Sequence, residues 1–127
     1  MGRYYSGDIE GKFWFGVQSS TDAEFFGGEG YQPEEINYWF SKDDTDDIKE
    51  GIKTCKKELG KDRKRLDTFF DKNNGYNDDI LQKHWIKHYK QPINVSHDLE
   101  WYARLLFGEQ ILECVQDQGD CSFTAEL

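Results

Sequence analysis

His84 and His88 stand four residues apart in KHWIKHYK. That spacing puts both imidazoles on one face of a helix, within reach of a single metal ion. The residues between them are Trp85, Ile86 and Lys87, so the glutamate of a zinc-protease HExxH motif is missing. A metal held here takes His97 or a distant carboxylate as its third ligand. The competing reading is a pair of histidines at the rim of an apolar core, beside Leu81 and Trp85.

FFDKNNGYNDDILQ, residues 69 to 82, has the composition of a calcium loop without its register. An EF-hand loop needs glycine at its sixth position and a bidentate glutamate at its twelfth. Counting from Asp71, Tyr76 and Gln82 occupy those places. The segment reads instead as a helix junction, with Asn73, Asn74 and Gly75 ending one helix in left-handed geometry and Asn77 or Asp78 capping the next.

KKELGKDRKR, residues 56 to 65, carries six basic side chains against two acidic ones in a chain of net charge -9. On a helical wheel Lys53, Lys57, Lys61, Lys64 and Arg65 lie opposite the apolar seam of Ile48, Ile52, Cys55 and Leu59. A solvated helix face accounts for such a stripe. So does a docking stripe for an acidic partner, which includes another copy of this chain. Nucleic acid is the weaker form of that idea, because the surrounding acidity opposes phosphate and no reader motif accompanies the cations.

Trp14 and Trp39 fall on the strand faces opposite the clearest core residues. With helices on one side of the sheet only, they join Tyr4 or Tyr5 in an exposed aromatic patch, the usual mark of an interface. Catalysis has the least support. Asp8, Glu10 and the Asp43 to Asp47 cluster offer carboxylates, but turns and helix starts recruit these anyway. No nucleophile elbow, phosphate-binding loop, dinucleotide fingerprint or cysteine–histidine pair occurs.

These residues need a scaffold, and hydrophobic period supplies one. RYY and SGDIEG read as a hairpin, and KFWFGVQ as a strand with Phe13, Phe15 and Val17 opposite Trp14, Gly16 and Gln18. SSTDAEFFGGEG reads as a short helical turn with Thr21 and Glu24 at capping-box spacing and glycines to stop it. EINYWFSK alternates Ile36, Tyr38 and Phe40 against Asn37, Trp39 and Ser41. The stripe Ile48, Ile52, Cys55, Leu59, Leu66 and Phe69 keeps phase over residues 45 to 72, as one helix or as two that meet near Gly60. A helix over 77 to 90 places Ile80, Leu81, Trp85 and Tyr89 on one face. Another over 97 to 118, capped by Ser96 or Asp98, is apolar nearly all round and so central. CSFTAEL alternates as a last strand that returns to the N-terminal sheet.

The fold expected is α+β: a small antiparallel sheet, from N-terminal strands and a C-terminal strand, packed on about three helices in a single domain over residues 1 to 127. The net charge of -9, an odd count of three scattered cysteines and the absence of an apolar membrane span, secretory core or transit pattern point to a cytoplasmic chain. The function expected is a non-enzymatic protein that binds a protein partner, with self-association included and no cofactor. As a class, a small acidic chain of this kind resembles the inhibitors that viruses and phages direct against host proteins, which would place it in the host cytoplasm. The alternative is a small-molecule or metal-binding domain with a pocket lined by aromatic side chains and histidine. The residues expected to serve interaction are Tyr5, Trp14, Trp39, Lys57, Lys61, Lys64 and Arg65, and those expected for metal are His84 and His88.

Overall fold

A computed structural model describes residues 3 to 14, 17 to 28, 35 to 73 and 77 to 126. Strands β1 (Tyr4–Gly7) and β2 (Gly11–Lys12) form the expected hairpin, and β3 (Glu35–Ser41) and β4 (Asp120–Glu126) complete an antiparallel sheet of order β2-β1-β4-β3. The last strand therefore lies inside the sheet, between two strands from the other end of the chain. Its partners Tyr5 and Ile36 both face Ala125, and Tyr38 and Phe40 face Phe123 and Cys121. All of these are buried. The intervening residues Ser6, Asn37, Trp39 and Ser122 are exposed, as the two-residue period demands.

Helix α1 (Thr45–Leu59), α2 (Asp62–Lys72), α3 (Asp78–Tyr89) and α4 (Val95–Gln118) supply the rest of the fold, an α+β arrangement with a small sheet packed on helices. α4 lies against the sheet, where the Phe107 ring centre is 4.7 Å from Tyr5 and 5.6 Å from Phe123. It is buried on almost every side, through Leu99, Tyr102, Leu105, Phe107, Ile111 and Val115. α1 packs along α4. The predicted stripe from Ile48 to Phe69 is buried throughout.

Phe26, at the end of a 3-10 turn over Asp22–Phe26, is wedged between these two helices. A Cβ added at Gly51 of α1 would stand 2.6 Å from its ring, and one at Gly108 of α4 would stand closer still. The two helices accept the ring because each presents a residue without a side chain.

Several local expectations give way. The strand predicted through KFWFGVQ stops at Lys12. After Phe13 donates to the Arg3 carbonyl, the chain turns, and the Val17 and Gln18 amides donate to the Trp14 carbonyl. Gln18, placed on an outer face by alternation, is buried with its side chain bridging the Trp14 amide and the Asp22 carboxylate. Phe15 and Gly16 lie outside the described residues. The Thr21 hydroxyl pairs with Ser19 and makes no cap, while a capping box does form between Ser41 and Asp44 ahead of α1. Asn94, in place of Ser96 or Asp98, caps α4. Ile80 is exposed on α3, at the edge of the face that buries Leu81 and Trp85. Asn73 ends α2 in extended geometry with its amide on the Phe69 carbonyl, and Asn77 caps α3 as expected. Asn74 and Gly75 lie outside the described residues.

Candidate interaction surface

The phase-keeping stripe is two helices. α1 ends at Leu59, Gly60 takes φ 54° and ψ -127°, and α2 begins at Asp62. Only glycine adopts such a backbone without strain, and this one carries the direction change. The break opens a groove of about 760 Å³ lined by Lys56, Gly60, Lys61, Arg63, Lys64 and Asp67. Lys61 and Lys64 of the predicted stripe thus meet in one place, but Lys57 and Arg65 do not join them. Lys57 is exposed further round α1, and the Arg65 guanidinium lies 4.1 Å over the Tyr89 ring with Asp62 at 3.5 Å. Residues 56, 60, 63, 64 and 67 share one flank at i, i+4, i+7, i+8 and i+11 spacing, next to the flank that the stripe through Lys57 and Arg65 follows.

Arg63, absent from the predicted set, forms a fixed wall of the groove. Its guanidinium donates to both oxygens of Glu109 at 3.1 Å and to Asp67 at 2.9 Å, and Asp67 also accepts the Tyr102 hydroxyl at 2.7 Å. Burial pushes the Tyr102 phenol up, and the hydrogen bond to Asp67 adds to the shift. Lys56, Lys61 and Lys64 are exposed and make no ion pair among the described residues. They are the cations a partner can meet.

The aromatic set separates. Trp39 is 58% exposed and Tyr4 48%, with the Lys12 ammonium 5.9 Å from the Tyr4 ring. Tyr5 turns into the core, where its hydroxyl donates to Gln110 at 2.6 Å and burial pushes its phenol up to about 12. Trp14 is half-buried, edge-on to Phe70 at 5.5 Å and Tyr102 at 6.1 Å. Between Tyr4 and Trp39 runs the row Ser6, Thr124 and Asn37, in which Thr124 donates to Asn37 at 2.7 Å. The open sheet face is therefore polar with two separate rings, and the continuous aromatic patch expected from Trp14, Trp39 and Tyr5 does not form.

On the other flank of the α1–α2 break, Glu58 meets the first turn of α4. The two nitrogens of His97 lie 2.8 Å from buried Asp98 and 3.2 Å from Glu58. The hydrogen bond to Asp98 raises the His97 pKa above its usual value; burial works against it, and the weaker influence of the Glu58 hydrogen bond adds to the rise. With both nitrogens engaged, this imidazole has no free lone pair for a general base. Further along α4, Arg104 donates to buried Asp22 at 2.7 Å and to Glu100 at 3.2 Å and lies against the Phe25 and Trp101 rings, which meet each other edge-on, and this pins the 3-10 turn to the helix.

His84 and His88 do come together, with ring centres 4.4 Å apart. Burial lowers the His84 pKa, and His88, Lys72 and Lys87 lower it further. Among the described residues no group of three or more histidine, cysteine, aspartate or glutamate side chains could hold a metal ion. His97 is occupied elsewhere. No helix among the described residues is long and apolar enough to cross a membrane. Comparison with known proteins finds no match to a family model, a curated protein or a solved structure.

Proposed function

We propose that the chain is a non-enzymatic binding protein whose basic groove at the α1–α2 break docks an acidic segment of a protein partner. The observation that carries this reading is the convergence of Lys56, Lys61 and Lys64 around one groove, beside a guanidinium already committed to Glu109, in a chain of net charge -9. A general surface lysine distribution would scatter these charges. Here they line one groove beside the helix break, and a local positive field within an acidic molecule favours an acidic partner. The overall acidity opposes the long-range approach of such a partner, but that field is screened beyond about 8 Å at physiological salt, so the contact is governed by the groove.

An acidic surface of a second copy is one such partner. Occupying a surface on another macromolecule requires no turnover, and the chain's size and charge suit the manner in which small viral and phage inhibitors act on host proteins. The test is binding of a fluorescent oligoglutamate peptide at physiological salt to the wild type and to K56E/K61E/K64E. A control reverses Lys49, Lys83 and Lys87, which are exposed away from the groove, and changes net charge by the same amount. Loss with the first set alone supports the groove; equal loss with both sets rejects it.

A further inference from the structure

Two of the three histidines stand open to a ligand where the third does not. His97 engages both ring nitrogens, with Asp98 and Glu58. Among the described residues neither His84 nor His88 makes a hydrogen bond or an ion pair, so their ring nitrogens are available. Both belong to the last two turns of α3, four residues apart, and so project from one side of the helix. Buried Leu81 and Trp85 fix which side that is. The His84 ring packs edge-on to Phe69 of α2 at 5.1 Å, while His88 is exposed.

The spacing of the two rings can be set against what one metal ion requires. Zinc held by an imidazole nitrogen at about 2.0 to 2.1 Å stands about 3.2 Å from the ring centre, so two rings on one ion have centres about 4.5 Å apart at a right angle and about 5.2 Å apart at the tetrahedral angle. The observed separation is 4.4 Å, with the ring planes 40° apart. A small opening of the exposed ring therefore completes a chelate without moving the helix.

We propose that His84 and His88 form an open two-imidazole site for one divalent ion of the class that imidazole favours, Zn2+ or Ni2+, with water in the remaining coordination positions. The ligand type excludes Ca2+ and Mg2+, which take oxygen ligands. Lys72 and Lys87, whose charges reach His84, oppose a cation there, and the negative end of the α3 dipole favours one. Structural zinc sites close all four positions with protein ligands, whereas this one supplies two against nearby positive charge. The ion is therefore exchangeable and is not a part of the fold. The site lies on α3 and the groove is lined from α1, α2 and the turn between them, so neither proposal depends on the other.

The test is titration of Zn2+ into the full chain at about pH 7.5, where unperturbed histidine is mostly neutral, with millimolar Mg2+ present to occupy the acidic surface. Calorimetry reads the stoichiometry, and NMR of the histidine rings reads the place. One ion should bind per chain, with the His84 and His88 ring signals moving together and the His97 ring unmoved. His84→Gln and His88→Gln should each weaken binding by about tenfold or more, since loss of a ligand costs no less than loss of a group that orients one. Cys114→Ser, at the one cysteine that is not buried, should leave binding unchanged. Zn2+ that binds in no fixed ratio, that moves His97 instead, that is lost with Cys114→Ser, or that binds both glutamine variants as tightly as the wild type overturns the site. The ring signals of the wild type give this answer without any variant, so a variant that fails to fold does not decide it.

Discussion

Arg63 of α2 grips Glu109 of α4 through two parallel hydrogen bonds of 3.1 Å each. The same guanidinium holds Asp67 one turn along its own helix. A planar fork matched to a carboxylate in this way resists substitution even by lysine, which carries the charge but not the geometry. Arg63→Lys is expected to lower unfolding stability by roughly 1 kcal/mol, a figure restrained by the partial exposure of both partners. Urea unfolding measures it, and a loss equal to that of Arg63→Ala would show that geometry rather than charge supports the contact.

The glycines that admit Phe26 set up a second expectation. Gly108→Ala would press a methyl group into the Phe26 ring, and Gly51→Ala would do so less severely. Helix propensity favours alanine by about 1 kcal/mol at both sites. Overpacking costs typically 1 to 3 kcal/mol, so the Gly108 variant should lose stability on balance and Gly51→Ala should lose less. Thermal unfolding of the two variants, and of each combined with Phe26→Leu, checks the assignment. The smaller leucine should recover part of the loss at Gly108.

Arg104 and Asp22 form the most buried ion pair of the described residues, with side chains 16% and 4% exposed. Breaking such a pair by removing one partner leaves the other uncompensated and costs about 3 to 5 kcal/mol. Asp22→Ala is therefore expected to be more damaging than Asp22→Asn, which can still accept from Arg104. Denaturant midpoints compare the two. Equal midpoints would mean that the contacts among Phe25, Arg104 and Trp101, rather than the ion pair, secure the turn.

Sequence periodicity revealed the parts of this fold in which one face is buried and the other is not. The alternation in EINYWFSK and CSFTAEL, and the stripe from Ile48 to Phe69, lead directly to the observed core. What it could not resolve were places where side chains replace backbone pairing. Gln18 satisfies the Trp14 amide and ends a strand whose alternation continues on paper. Tyr5 and Tyr4 are adjacent and chemically alike, and only pairing register decides that Tyr5 faces inward. The basic stripe was visible, but the groove lies on the adjacent flank, where Lys56 and Arg63 join Lys61 and Lys64. The contacts of His97 with Glu58 and Asp98 drew no attention from sequence because they join two helices and no local spacing unites them.

The most direct test of the docking claim is fluorescence anisotropy of an oligoglutamate peptide titrated with this protein at physiological salt. The wild type and the Lys49, Lys83 and Lys87 reversal should bind it comparably, with affinity falling as salt rises, while K56E/K61E/K64E should bind at least tenfold more weakly. A short single-stranded oligonucleotide should bind no better than the peptide. No binding by the wild type, or binding that all three proteins share, would contradict the groove as the site that meets an acidic partner.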